Sequence, residues 1–116
     1  MGVKLGNIFM DKIDIESRQV SDKIAKAAIT AAKCLKVLAN PNRLVILTIL
    51  IRGESCVGDL EKELKISQSA LSQHLSRMRD EDIVTSHRKK QKIFYKINDD
   101  RVKKMLNLLF RLYYQK

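Results

Sequence analysis

The feature that most narrows the fold is a double change of hydrophobic period between Val57 and Ile97. Val57, Leu60 and Leu64 recur at helical spacing, and Leu71, Leu75 and Met78 resume that spacing on a second helix. Only Lys65-Ile66-Ser67 separates the two, with Ser67 suited to N-cap the second. Two short helices joined so tightly make a helix-turn-helix. The period then falls to that of strands. Residues 84–87 and 92–97 read as a hairpin around a basic tip, Arg88-Lys89-Lys90-Gln91. A helix-turn-helix followed directly by a basic hairpin predicts a winged helix-turn-helix.

The flanks read as helices too. Over residues 17–39, Val20, Ile24, Ala27, Ala31, Cys34 and Leu38 are spaced alternately by four and three, the seam of a helix packed on another helix. Residues 1–16 show no period and are expected to form a flexible N-terminal arm, leaving 17–116 as the domain. In "ANPNRLVILTILIRG", Asn40 suits an N-cap, Pro41 the first helical position and Gly53 the stop. The run 44–51 is rich in β-branched residues, but the caps favour a central helix over a buried strand. Asn98 or Asp99 caps a last helix, on which Val102, Met105, Leu106, Leu109, Leu112 and Tyr113 form one stripe. Leu108 and Phe110 widen that stripe beyond what one core contact needs. The expected architecture is mainly α (α+β), in the order α-α-α-α-β-β-α.

Charge narrows the partner. The 116 residues carry a net +10, but residues 85–116 hold +8 of it and residues 1–84 only +2. A basic end on a nearly neutral body points to nucleic acid or an acidic membrane surface. No apolar run is long enough to span a bilayer, and "MGVKLGNIFM" has no signal-peptide core. Gly6 stands where a myristoylation signal needs Ser or Thr. The expectation is a cytoplasmic protein with no membrane partner. Only His74 and His87 could act as general bases near neutral pH, and no triad, phosphate loop or metal constellation accompanies them. Neither enzyme activity nor a metal or cofactor is expected.

The second helix of the motif carries an unusual outer face. Ser69, Ser72, Gln73 and Ser76 share it, where a solvated helix would carry Glu and Lys. A recognition helix must hydrogen-bond to base edges in the major groove, and carboxylates there would be repelled by phosphate. Gln68, Ser69, Ser72, Gln73 and Ser76 therefore suit base edges, and Arg77 suits guanine or phosphate. His74 sits nearer the buried edge and suits packing or a phosphate better than a base. Arg88, Lys89, Lys90 and Lys92 on the wing suit phosphate or minor-groove contacts, which position rather than specify.

With "SQSALSQHLSRMRDEDIV" and "KIFYKI" in place, the chain resembles the ArsR/SmtB family of bacterial repressors, and within it the HlyU-like branch. The resemblance runs from about Ala28 to Gln115; "LANPNRLVILTIL", "SCVGDLEKEL" and "MLNLLFRLYYQ" carry the rest of it. It implies a homodimer built from the first and last helices, through Met105, Leu108, Leu109, Leu112 and Tyr113, binding double-stranded operator DNA. A nucleoid-type or RNA-binding protein with little sequence preference is the alternative.

Departures from the family bear on regulation. Sulfur-sensing members carry a cysteine in the second helix and another in the last, where this chain has Thr48 and Tyr114. Arsenic-type members carry a cysteine pair in the stretch matching "SCVGDL", where only Cys56 remains beside Gly58. Zinc-type members use acidic and His ligands in the last helix, which here holds no His. Cys56, at a helix start where thiols oxidise readily, and Cys34, on the seam of the first helix, are the candidate redox thiols. Asp82 and Lys90 stand where relatives usually have Gly, so the wing is expected to turn differently.

Overall fold

The computed structural model describes residues 21–114. The arm expected at residues 1–16 and the start of the first helix, Val20 included, lie outside the described residues. The chain divides into two units, residues 1–33 and 34–116. In the first, the described part is the opening of α1 (Asp22–Leu38), where Ser21 Oγ accepts from the Ile24 N–H at 3.3 Å. Ile24 is half-buried, while Ala27 and Ala31, two steps of the expected seam, are exposed.

The second unit runs from the end of α1 through α2 (Pro41–Ile51), β1 (Ser55–Cys56), α3 (Val57–Leu64), α4 (Gln68–Asp80), β2 (Val84–Lys89), β3 (Lys92–Ile97) and α5 (Asp100–Tyr113). Helix starts follow the capping residues. Asn40 Oδ1 accepts from the Arg43 N–H at 3.1 Å, Ser67 Oγ from the Ala70 N–H at 3.1 Å, and Asp99 Oδ1 from the Arg101 N–H at 2.9 Å. Each such cap stabilises its helix by about 1 kcal/mol. Asp99, rather than Asn98, is the cap of α5; Asn98 instead donates its backbone N–H to the Ile83 carbonyl at 2.8 Å.

α2 is a helix despite its β-branched run. Its Ile46, Leu47, Ile49 and Leu50 are buried against Leu60 of α3, Leu71, Leu75 and Met78 of α4, and Val102 and Leu106 of α5. Fully burying a side chain of this size contributes roughly 2 kcal/mol, so tertiary packing outweighs the weak strand preference of the run.

The strands form an antiparallel sheet in the order β1-β3-β2, with Ser55 opposite Tyr95, Cys56 opposite Phe94, and Val84 to Lys89 opposite Ile97 to Lys92. Two details correct the sequence reading. β1 is an additional strand, so the observed order is α-α-β-α-α-β-β-α. β2 extends to Lys89, which places Arg88 and Lys89 in the ladder and leaves Lys90-Gln91 as the turn. Lys65, Asp82 and Lys90 adopt the left-handed conformation, with φ of 55°, 59° and 58°. The wing therefore turns through the backbone conformation a glycine would take, not through a different one. No single helix among the described residues is long and apolar enough to cross a membrane.

Candidate nucleic-acid interface

α4 is seated by one stripe and presents another. Leu71, Leu75 and Met78 are at most 1 % exposed, while Gln68, Ser69, Ser72, Gln73 and Arg77 are exposed and Ser76 is half-buried. The αL conformation of Lys65 ends α3, its N–H returning to the Glu61 carbonyl at 3.3 Å. That reversal and the Ser67 cap hold the two helices of the motif at a fixed turn. The Ser/Gln face is thus displayed as the sequence reading expected.

Beside it stands the wing. Arg88, Lys89, Lys90 and Lys92 are all exposed, and Lys89 lies directly opposite Lys92. Like charges across a ladder repel, and Lys90 adds a left-handed non-glycine residue, which costs of order 1 kcal/mol. A hairpin tip built against two local rules is the pattern of a surface shaped for an anionic partner. The wing is braced by His87, which stacks on Phe94 with ring centroids 5.7 Å apart and whose Nε2 lies 2.8 Å from Glu54 Oε1.

Between α3, α4 and β3 runs a groove of about 690 Å³, lined among others by Gln68, Ser72, Ser76, Arg79 and Lys92. Arg79 was not singled out from the sequence, because the acidic run Asp80-Glu81-Asp82 beside it masks its charge. The groove joins the polar face of α4 to the basic wing, so one continuous surface carries both.

His74 is placed apart from this face. It is half-buried, and its Nδ1 accepts from Arg43 Nε at 3.2 Å. Burial, and then the Arg43 charge, hold its imidazole below the ordinary range. Arg43 also escaped the sequence reading. The available signal was its position as the lone charge in an otherwise uncharged helix.

The expected interface helix α5 has a mixed face. Leu106 and Val102 belong to the core, and Met105 and Phe110 pack partly against it. Leu109 is half-buried, whereas Leu108, Leu112 and Tyr113 are 49 %, 65 % and 83 % exposed.

Both thiols are free, and Cys56 lines the groove from a buried position. Cys56 is the N-cap of α3 but makes no side-chain cap bond and is only 5 % exposed. Cys34 is half-buried; burial first, then the Asp99 and Glu81 charges, push its thiol up, against an opposing pull from Arg101. Thr48 Oγ1 donates to the Leu44 carbonyl at 2.6 Å, and Tyr114 is exposed at the end of α5. Among the described residues no three His, Cys, Asp or Glu side chains cluster as a metal site.

Comparison with known proteins agrees with this geometry. Residues 40–86 match the model of the bacterial regulatory protein, arsR family. The transcriptional activator HlyU of Vibrio cholerae is 42 % identical over 93 residues, 80 % of this chain and 86 % of that protein. A solved structure of HlyU from V. cholerae N16961 superposes with a TM-score of 0.75 at 43 % identity, covering 78 % of this chain and 98 % of that one. The nodulation protein NolR of Rhizobium meliloti is 45 % identical over 83 residues, 72 % of this chain and 68 % of that protein. The homodimeric winged helix-turn-helix DNA-binding domain Mb0332 of Mycobacterium bovis gives a TM-score of 0.71 at 26 % identity, covering 79 % and 85 %. The chain belongs to the arsR family of bacterial regulatory proteins and is a transcriptional regulator of the winged helix-turn-helix type.

Proposed function

We propose that this regulator reads its operator through the outer face of α4 while the wing holds the phosphate backbone, two copies acting together as a homodimer. In this reading Gln68, Ser69, Ser72, Gln73 and Ser76 face base edges in the major groove. Arg77 and Arg79 meet guanine or phosphate, and Arg88, Lys89, Lys90 and Lys92 meet phosphate or the minor groove. The observation that carries it is the exposed, uncharged Ser/Gln stripe of α4 beside a wing tip of four cations. Leu108, Leu112 and Tyr113 are apolar groups in water unless a second copy covers them, and α5 is the surface on which that copy would sit. A twofold dimer requires an operator with inverted half-sites about one helical turn apart. Such DNA is cytoplasmic in a bacterium, and the protein is placed there with it. No residue is assigned a catalytic role.

The test is selection of a duplex from a randomised library, followed by competition between that duplex and a scrambled one. Preferential binding of the selected duplex supports the reading. Equal affinity at every salt concentration favours a nucleoid-type or RNA-binding role instead.

A further inference from the structure

Arg43 joins three elements. Its backbone N–H closes the α2 N-cap on Asn40, its Nη1 donates to the Val37 carbonyl in the last turn of α1 at 3.1 Å, and its Nε donates to His74 Nδ1 on α4. Both side chains are half-buried, and Val37, whose carbonyl accepts from Arg43, and Leu75, next to His74 in sequence, are 0 % and 1 % exposed. From these contacts we infer that Arg43 and His74 form a positioning pair for recognition: they fix the rotation of α4 about its own axis, and so the aim of Ser72 and Gln73.

The apolar stripe alone cannot fix that rotation. Leu71, Leu75 and Met78 seat α4 by burial, which is non-directional and tolerates a small roll. A hydrogen bond is directional. His74 lies at the edge of the stripe, next to Gln73 in sequence but about 100° from it around the helix, so tethering its ring limits the roll of the helix as a rigid body and with it the aim of the reading face. The anchor is firm, because Arg43 is held at its other end by a carbonyl of α1. The inference rests on the recognition role proposed above for α4.

The tether has a chemical condition. Nδ1 accepts only while the imidazole is neutral and carries its proton on Nε2. A protonated ring would turn an N–H toward the guanidinium. Arg43 is the one charged group felt by the ring among the described residues, and together with burial it disfavours that state. The pair therefore holds at neutral pH and releases on acidification.

The experiment measures affinity of the full chain for the library-selected duplex and for its scrambled counterpart, at about pH 7.5 and at a lower pH at which NMR shows the His74 ring protonated. His74→Ala and Arg43→Lys should each weaken the selected duplex about tenfold and the scrambled one hardly at all. His74→Asn keeps an acceptor near the position of Nδ1 and does not titrate. It should retain the wild-type ratio and remove the fall in that ratio that the wild type shows at the lower pH. Equal loss on both duplexes would mean the ring grips phosphate and overturns the inference. So would an unchanged ratio in Arg43→Lys, or a His74→Asn protein as impaired as His74→Ala. If His74→Ala does not fold, Arg43→Lys and His74→Asn decide the matter. A wild-type protein that does not discriminate between the duplexes sinks the recognition reading itself, before any variant is compared.

Discussion

His87 on β2 and Glu54 in the connection before β1 meet across the sheet, with Nε2 2.8 Å from Oε1. The hydrogen bond from His87 holds the Glu54 carboxyl below the usual carboxylate range, against an opposing effect of desolvation and with lesser help from the nearby His87, Lys89 and Lys96 charges. A carboxyl whose folded pKa is lowered stabilises the fold above its unfolded value. That contribution fades as the pH falls below about 4.3 and toward the folded pKa. Glu54→Gln should therefore lower neutral stability slightly and flatten the acid limb of stability against pH, the two proteins converging as the carboxyl takes up its proton. Melting temperatures measured between about pH 6 and about pH 3 check this; parallel curves for the two proteins would refute it. The His74 contribution does not confuse the result, because its loss sets in at higher pH, as the unfolded imidazole begins to take up its proton.

On α5 the expected interface residues separate into two sets. Met105 is partly committed to the core of its own chain, while Leu112 is 65 % exposed. Leu112→Glu should therefore convert a dimer to a monomer without unfolding the monomer, whereas Met105→Glu should do both. Light scattering beside circular dichroism separates the outcomes. A wild-type protein that is monomeric at micromolar concentration would end the dimer reading. DNA affinity should fall with Leu112→Glu although no groove residue changes.

Base reading and backbone holding differ in their response to DNA sequence and salt. Gln73→Ala should cost about 1–3 kcal/mol on the selected duplex and little on the scrambled one. Lys89→Ala should weaken both duplexes alike and reduce the slope of log affinity against log salt by about one. Titrations at several salt concentrations give both quantities. Equal losses for Gln73→Ala would remove that face from base recognition.

How much of this was legible in the sequence depended on range. Asn40, Ser67 and Asp99 declare themselves because a cap bonds within three residues along the chain. The α4 stripe was legible because one helix face is a local repeat. β1 was not: two residues have no period, and their partners Tyr95 and Phe94 lie far along the chain. The Arg43–His74 bond spans 31 residues, and nothing local to either residue encodes it. Sequence placed His74 near the buried edge correctly but could not supply its partner. The wing was legible as a basic hairpin, but its turn was misread. Lys90 was expected to deflect the backbone, and the ladder from Val84 to Lys89 instead forces it into the conformation glycine prefers.

The cysteines should not form a switch like that of sulfur-sensing relatives. Thr48 has no redox chemistry and is already bonded to the Leu44 carbonyl; Tyr114 cannot bridge to it. Burial and the neighbouring Asp99 raise the Cys34 thiol, so little thiolate is present at neutral pH, and Cys56 is 5 % exposed. Polysulfide treatment should leave operator affinity nearly unchanged, as should Cys34→Ser. Operator titration with treated and untreated protein, with mass spectrometry of the thiols, is the check. A large fall in affinity accompanied by a Cys34–Cys56 cross-link would show that the chain carries a dithiol sensor at a new position.

Lys90 gives a prediction with two opposite signs. Its φ of 58° is strained for a residue with a side chain, at a cost of order 1 kcal/mol. Lys89 and Lys92, opposed across the ladder beside it, add repulsion that the free protein does not relieve. Lys90→Gly removes the strain and one positive charge from the tip together, so the free protein should melt at a higher temperature. On the proposed reading the same change also deletes a phosphate contact, so DNA affinity should fall, with a salt slope lower by about one. Lys90→Asn separates the effects: it tolerates the left-handed turn better than Lys and also lacks the charge, so it should gain part of the stability and lose the same affinity. If Lys90→Gly melts no higher than the wild type, the turn is not strained. If it binds DNA unchanged, the charge at the tip faces away from phosphate, and the wing's grip must come from Arg88, Lys89 and Lys92 alone.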